Sequence, residues 1–421
     1  MDDQHQTVIK IMGIGGGGTN AVNRMIELGL EGVDFIAANT DAQALGLSLA
    51  PTRVRLGPNL TRGLGAGGKP EVGEAAALES RADIEDALKG ADMVFLTAGM
   101  GGGTGTGAIP VIAEIARSMG ALTVAVVTIP FSFEASRRQG NAQSGLTKLR
   151  ANADTLVTVP NDKLLGLLPR NTTFELALRV ADEVLRQGVQ GISELISKPG
   201  LINMDFSNIR ALMKVAGPSM MAIGQGQGEG KATQAVRQAL QMPLLDLKSM
   251  GDATGVLVHF TGGEDLSLHE VSQAAAEITA AAPHADVIFG ATVDPVLTGR
   301  AQVILVVTGI ETQALEEVLK PDLIFRRPGS TQARAEAEAT EPEAEVEAAP
   351  ALEEPAGHLA EALFSQAASP VTHDQPLVSA GSTVLEGHGA APSAANVQSS
   401  LDMPAFLRRR RSLRDYEAGE R

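Results

Sequence analysis

Up to about residue 160, short apolar runs alternate with stretches whose apolar residues recur at helical spacing. The apolar runs at 8–12, 35–38, 93–97, 122–127 and 156–159 are short and rich in β-branched residues, which predicts strands. A helix is predicted between the first two runs, at 19–28, with Gly29 as its C-terminal cap. This alternation is typical of a Rossmann-like, parallel-sheet α/β domain.

The segment 174–197 carries apolar residues at helical spacing along its whole length, and Pro199 and Gly200 follow it. A helix of that length spans roughly 35 Å, enough to cross a domain. Beyond it, strands are predicted at 256–260, 287–291 and 303–308, and helices at 232–240 and 267–281. We therefore expect a long central helix that joins the first domain to a smaller α+β domain.

The composition changes after about residue 327. Residues 328–400 contain eleven acidic residues and one Arg, many Ala and Pro, and no periodicity. Such a segment cannot bury enough apolar surface to offset its chain entropy, so we expect disorder. The predicted organisation is listed by range: an α/β domain at 1–172, a central helix at 173–200, an α+β domain at 201–320, a disordered acidic linker at 321–400, and a terminal peptide with a tail at 401–421.

Charge and composition narrow the classes of function. The chain has 421 residues, a formal net charge of −16 and no Cys. An acidic protein is a poor non-specific binder of nucleic acid, and a chain without Cys has neither disulfides nor thiolate metal sites. The polar N-terminus lacks a signal-peptide core, and the apolar runs are too short to span a bilayer. We therefore expect a soluble protein with no nucleic-acid partner.

Two glycine-rich segments follow predicted strands. The second, GGGTGTG at 101–107, allows a tight turn that brings several backbone amides to one anion, and the next helix adds its positive end. No Lys follows these glycines, so amides, hydroxyls, a metal ion or a distant Arg must offset the bound charge. The first segment, at 15–20, is compatible with a dinucleotide loop, a phosphate loop or a simple turn.

Seven motifs together resemble the FtsZ family of bacterial tubulin homologues. They are GIGGGGTNAV at 13–22, ANTDAQAL at 38–45, AGMGGGTGTGA at 98–108, PFSFEASRR at 130–138, PNDKLL at 160–165, GVQGISELI at 188–196 and LDMPAFLRRR at 401–410. The similarity covers residues 7–310 and the terminal peptide. It implies a GTPase domain, a central helix and a C-terminal activation domain, with GTP or GDP and Mg²⁺ as cofactors.

The resemblance also implies roles for individual residues. The first glycine segment would bind the α- and β-phosphates and the ribose, and the second would surround the β- and γ-phosphates. Glu134 and Arg138 would lie at the ribose and phosphates. Asn161 and Asp182 would bind the guanine edge. A carboxylate accepts both N–H donors of guanine, so Asp182 would select GTP over ATP. The residues of the two segments are Gly16, Gly17, Gly18, Thr19 and Asn20, then Gly101, Gly102, Gly103, Thr104, Gly105 and Thr106.

The predicted catalytic residues are Asp205 and Asn208, in the segment that follows the central helix. The helical stretch from 182 to 198 alone rises roughly 24 Å, so Asp205 would not reach the γ-phosphate of a nucleotide whose base contacts Asp182. It would instead reach the nucleotide of a neighbour stacked head to tail, and repetition of that contact makes a filament. In the family, carboxylates of this segment orient the attacking water.

Two residues depart from the family pattern. Asn208 stands where the pattern has Asp, and an amide can position water but cannot accept its proton. One hypothesis is that GTP is hydrolysed slowly; the alternative is that Asp205 alone suffices. Leu178 stands where relatives often have a Phe stacked on guanine, which predicts weaker nucleotide binding.

The terminal peptide offers two interpretations. By resemblance, Leu401, Asp402, Pro404, Phe406 and Leu407 would dock on membrane-tethering and regulatory division proteins. Alternatively, the basic run 408–411 would contact anionic lipid directly. We favour the protein groove, so membrane contact would be indirect.

The function predicted from the sequence is therefore a GTP-binding, self-polymerising protein of the bacterial division ring, cytoplasmic and located at mid-cell. Hydrolysis of GTP to GDP and phosphate would depend on polymerisation. Two alternatives remain: a GTP-binding scaffold or divergent paralogue with little hydrolysis because of Asn208, and, from the first glycine segment alone, a Rossmann-type NAD(P) oxidoreductase.

Overall fold

The computed structural model describes residues 7–134, 136–165, 168–169, 172–197, 202, 205–214, 218–242 and 250–309. The predicted acidic linker and the terminal peptide lie outside these residues. Within them the chain forms a ten-stranded mixed sheet with helices on its faces, an α/β fold. No described helix combines the length and apolar character that a bilayer crossing requires.

The N-terminal part contributes six parallel strands in the order β3-β2-β1-β4-β5-β6. The strands are β1 (Ile9–Ile14), β2 (Asp34–Asn39), β3 (Thr52–Arg55), β4 (Met93–Gly99), β5 (Leu122–Ile129) and β6 (Thr155–Pro160). The helices that connect or follow them are α1 (Gly15–Glu27), α2 (Ala42–Gly46), α3 (Pro58–Thr61), α4 (Pro70–Glu79), α5 (Arg81–Leu88), α6 (Thr104–Ser118), α7 (Ser136–Asn152) and α8 (Asn161–Leu165), with a 3₁₀ turn at Ser132–Glu134.

The helix α9 (Phe174–Ser197) is the predicted central helix, and its bounds match the periodic segment. Its apolar side packs against both the N-terminal and the C-terminal strands. Val180, Val184, Val189 and Ile192 are each at most 1% exposed and belong to one continuous core. A second core fills the opposite face of the parallel sheet, under α4–α7. The central helix is thus held by burial along most of its length.

The C-terminal part contains α10 (Phe206–Lys214), β7 (Pro218–Gln227), α11 (Lys231–Leu240), β8 (Gly255–Gly262), α12 (Leu268–Ala281), β9 (Asp286–Val293) and β10 (Arg300–Thr308), with a 3₁₀ turn at Pro295–Leu297. Strand β10 pairs antiparallel with β7 and β8, and β9 lies parallel to β8 at the edge. The two sets of strands form one sheet because β6 pairs with β7, but only Leu156 with Pro218 and Val157 with Ser219 make that seam.

The structure differs from the sequence analysis at three places. The first helix begins at Gly15, immediately after β1, and not at Thr19. Thr104 and the residues that follow it in the second glycine segment form the first turn of α6 and are not a free loop. Strand β7 was not predicted, because Gly224 and Gly226 interrupt its apolar pattern. Gly29 does adopt a positive φ of 72°, as a glycine after the helix end requires.

Candidate functional site

The two predicted glycine segments lie side by side at the carboxyl ends of β1 and β4, which are neighbours in the sheet. A Cβ atom on Gly15 would stand 2.9 Å from the amide nitrogen of Gly105, and one on Gly18 would stand 2.2 Å from the carbonyl oxygen of Thr97. Side chains are therefore excluded where the segments touch. By contrast, a Cβ on Gly16 or Gly102 would meet nothing within 4 Å, so these backbones border open space.

Both helices that start at this edge lack a capping side chain. Helix α1 follows Ile14 and helix α6 follows Gly103, and neither residue supplies a side-chain acceptor to the first turn. The amides of a first helical turn have no partner within the helix, and they carry the positive end of its dipole. Two such turns next to each other at the ends of parallel strands are suited to bind a chain of phosphates.

Buried polar atoms without partners border the same edge. Thr19 Oγ1 and Asn161 Oδ1 have no hydrogen-bond partner in the described part of the chain, although the two residues are only 3% and 4% exposed. An unsatisfied buried polar atom costs free energy, so a ligand that supplies the missing hydrogen bond is favoured. Thr104 also faces this edge, where its hydroxyl lies 2.6 Å from that of Thr40.

A third glycine-rich segment, which the sequence analysis did not single out, covers the start of α6. We call residues 63–68 the third glycine segment; Gly63, Gly65, Gly67 and Gly68 all have positive φ. A Cβ on Gly103 would stand 3.1 Å from the Gly68 amide nitrogen and 2.9 Å from that of Lys69. Its glycine density in RGLGAGGK was the available signal.

Side chains of α7 tie these segments together. The Asn141 amide donates to the carbonyl oxygens of Gly68 at 3.4 Å and Gly101 at 3.3 Å. Arg138 forms an ion pair with Glu134 at 3.2 Å, and a Cβ on Gly101 would stand 2.9 Å from the Arg138 carbonyl oxygen. The two residues therefore pair with each other and lie against the second glycine segment, while their role toward a nucleotide stays a prediction.

Asp182 lies on α9, which packs against α1 and against α8, the short helix that begins at Asn161. Its side chain is half-buried, and burial raises the pKa of this carboxyl to about 7. The positive charge of Arg24 opposes that shift, the negative charge of Glu183 adds to it, and Arg179 opposes it more weakly. A carboxyl in such a place gains from a ligand that donates hydrogen bonds to its ionised form.

Asp205 and Asn208, both exposed, lie at the opposite end of the parallel sheet from the glycine segments. Asp205 directly precedes α10 and Asn208 lies in its first turn. Farther along this helix, Arg210 donates to the Gly120 carbonyl at 2.7 Å, and the Met213 carbonyl accepts from Thr155 at 2.5 Å. Gly120 and Thr155 stand at the amino ends of β5 and β6, whereas the glycine segments stand at carboxyl ends. The eight-residue strand β5 separates these ends by roughly 26 Å.

No group of three or more acidic or histidine side chains that could hold a metal ion occurs among the described residues. Mg²⁺ that accompanies a nucleotide usually keeps several waters and is held by phosphate oxygens with one or two protein ligands. The protein donors present at this edge, the hydroxyls of Thr40 and Thr104, fit that kind of site.

Comparison with known proteins agrees with this architecture. Residues 8–169 match the model of the Tubulin/FtsZ family GTPase domain, and residues 217–311 match that of the FtsZ family C-terminal domain. The chain is similar to FtsZ from M. jannaschii, solved as an empty dimer: TM-score 0.71 and 47% identity, over 74% of this chain and 90% of that one. It shares its fold with CetZ2 from Haloferax volcanii, solved as a GTPγS-bound protofilament: TM-score 0.64 and 21% identity, over 74% and 96%.

Proposed function

The chain belongs to the Tubulin/FtsZ family, and from that premise we propose that it is a GTPase that polymerises head to tail and hydrolyses GTP between subunits. The observation that carries the proposal is the meeting of two uncapped, glycine-rich helix starts at one edge of the sheet. Family membership also argues against the dinucleotide oxidoreductase that the first glycine segment alone suggested.

In the proposed ground state, the amides at the starts of α1 and α6 bind the phosphates, and the polar atoms of Thr19 and Asn161 receive their missing partners. Ionised Asp182 accepts the two N–H donors of guanine, a pattern that adenine does not offer. Bound Mg²⁺ would supply positive charge to the phosphates, with the hydroxyls of Thr40 and Thr104 as the nearest protein oxygens.

The catalytic half of the proposed site comes from the next subunit. Asp205 lies at the far end of its own sheet, so the same chain cannot apply it to its own phosphates. A subunit stacked on the glycine edge would present its Asp205 there, where the carboxylate would orient the attacking water. Similar proteins solved as a dimer and as a protofilament support self-association.

The test is GTP turnover measured together with sedimentation of polymer, in Mg²⁺, over a range of protein concentrations. We expect a threshold concentration for assembly, with negligible turnover below it and constant turnover per polymerised subunit above it. Turnover that is proportional to protein concentration at all concentrations, without polymer, would contradict a site shared between subunits.

A second candidate function is favoured by one observation, the amide of Asn208 in the exposed turn beside Asp205. In this scaffold hypothesis the protein binds GTP and assembles but hydrolyses little. The same experiment separates the two candidates, because a scaffold would sediment with GTP while phosphate release stays at background.

We further propose that the filament acts in a bacterial division ring in the cytoplasm at mid-cell, attached through residues 401–407 to a membrane-tethering protein. The peptide is short and apolar, follows an acidic linker and precedes the basic run 408–411. Deletion of residues 401–411 should abolish recruitment to mid-cell in the cell and leave the assembly threshold in vitro unchanged. A change in that threshold would show that the peptide acts on the filament itself.

A further inference from the structure

The second glycine segment has no lysine of its own to offset phosphate charge. Backbone amides and helix ends each contribute partial charges, whereas a triphosphate carries several full negative charges. A side-chain cation near the start of α6 would therefore strengthen binding of the phosphate that lies farthest from α1.

Lys69 occupies such a position. It directly follows the third glycine segment and precedes Pro70, the first residue of α4. Its amide nitrogen would stand 2.9 Å from a Cβ on Gly103, the residue at which α6 starts, so the backbones of the two residues are in contact. The flexible four-carbon stem of lysine can carry its ammonium group across the start of α6.

The position of Lys69 relative to the two helix starts indicates which phosphate it would contact. The first glycine segment touches the second at Gly105, whereas Lys69 touches it at Gly103, two residues nearer the start of α6. When a diphosphate is bound at the start of α1, the space beside Gly103 stays empty, and a third phosphate would occupy it. Lys69 is therefore placed at the end of the site that a triphosphate fills and a diphosphate leaves empty.

The ammonium of Lys69 is also available to bind a ligand. Its side chain is exposed and forms no ion pair or hydrogen bond with another described residue. By comparison, Lys10 donates to two backbone carbonyls, Lys148 pairs with Glu74 at 2.7 Å, and Lys231 is held by Asp265 and Glu270. A cation without a partner in the protein can bind a phosphate without first breaking an ion pair.

We propose that the Lys69 ammonium binds the terminal phosphate of GTP and makes this site prefer GTP to GDP. The inference rests on the proposed function, since it assigns a residue to that same nucleotide site. Hydrogen bonds between an ammonium and a phosphate are charge-assisted and stronger than neutral ones, so loss of this contact should affect the triphosphate selectively.

The test is competition of unlabelled GTP and of unlabelled GDP against a fluorescent GDP analogue, in Mg²⁺ and below the assembly threshold. For Lys69→Met we expect GTP affinity to fall about tenfold and GDP affinity to stay within about twofold. Lys69→Arg should retain most of the preference for GTP. Lys89→Met removes an equal charge from an exposed residue at the amino end of β4, away from the glycine edge, and should change neither affinity.

Two outcomes would overturn the inference while the proposed function stands. Equal weakening of GTP and GDP by Lys69→Met would show a general effect on the third glycine segment. Unchanged binding with a raised assembly threshold would show that Lys69 contacts the next subunit instead. Failure of the unaltered chain to bind GTP would overturn the proposed function, and this inference with it.

Discussion

At the scale of single residues, Asp182 links guanine recognition to pH. Burial holds the pKa of its carboxyl at about 7, so near neutrality the empty site contains both the protonated and the ionised form. The proposed contact with guanine requires the ionised form, because a protonated carboxyl cannot accept two hydrogen bonds in the same way. Binding of the base should therefore lower this pKa and release a proton.

We predict that GTP affinity rises with pH up to about 7 and levels off above it. Below that pH the loss should approach tenfold for each unit, because the proton competes with the base. The measurement is the dissociation constant of GTP between pH 5.5 and 8. The phosphates of GTP also titrate in this range, so Asp182→Asn is the control: it should bind more weakly and lack the component due to Asp182. Parallel pH profiles for the two proteins would exclude a role for this carboxyl.

Asn208 is the residue that separates the active polymer from the scaffold. A carboxylate at this exposed turn could accept a proton from water, which the amide cannot do. We predict that Asn208→Asp raises turnover per polymerised subunit by about tenfold, less than the full contribution of a general base because Asp205 already supplies one carboxylate. Ser207→Asp adds the same charge to the adjacent exposed residue and should not raise turnover. Equal turnover of Asn208→Asp and the unaltered chain would show that Asp205 alone suffices.

Some features of the site could not be predicted from the sequence. The resemblance assigned Glu134 and Arg138 to one site, and the structure pairs them at 3.2 Å. The contact of Lys69 with Gly103 joins two residues that are 34 positions apart, and local spacing carries no information about such a contact. The pKa shift of Asp182 likewise depends on burial against α1, which periodicity does not measure.

At the scale of elements, helix α9 carries a largely buried series of polar side chains along one side. We call this series the polar ladder: Glu183, Arg186, Gln190 and Glu194. Glu183 is fully buried and accepts from Arg186 at 2.6 and 2.9 Å and from Arg24 of α1 at 3.4 Å. Arg186 donates to Gln190, and Gln190 donates to Glu194 at 2.8 Å. The ladder thus connects the nucleotide-side helix α1 to the far end of α9.

We predict that Glu183→Gln lowers the free energy of unfolding by about 3 kcal/mol, because loss of this carboxylate leaves buried guanidinium groups without compensation. Glu175→Gln is the matched control on the same helix: Glu175 pairs with Arg179 at 3.1 Å but is 55% exposed. An exposed pair of this kind contributes about 0.5 kcal/mol or less. Urea denaturation followed by circular dichroism measures both. Similar losses for the two variants would show that the ladder is not a stabilising network.

The elements differ in how well the sequence specified them. The bounds of α9 followed from an unbroken helical period, which burial on two sides imposes. Strand β7 escaped prediction because a Cβ on Gly224 would stand 1.9 Å from the Ala235 carbonyl oxygen, so packing of α11 requires glycine inside the strand. The early start of α1 escaped for a similar reason, since glycines form helices poorly by themselves.

At the scale of the whole molecule, the two halves of the proposed catalytic site lie at opposite ends of the sheet. We predict that two impaired variants gain turnover when mixed, at a GTP concentration too low to saturate Asp182→Asn. Asp205→Ala keeps a complete nucleotide pocket, and Asp182→Asn, weakened in base binding, keeps Asp205. Random mixing of equal amounts should recover about a quarter of normal turnover, because that share of interfaces joins an intact pocket to an intact carboxylate. No recovery in mixed polymer would place both halves within one chain.

The two-pair seam between β6 and β7 has a mechanical consequence. Within the sheet only these two residue pairs join the two parts, whereas outside the sheet α9 and the core around it join them. Each half is far better bonded internally, with eight paired positions between β7 and β10 alone. We therefore expect any change in the relative orientation of the two parts to open this seam first, before strands within either part separate. The two parts would then move as stiff blocks about α9, and a small rotation between them would cost only the hydrogen bonds of the seam.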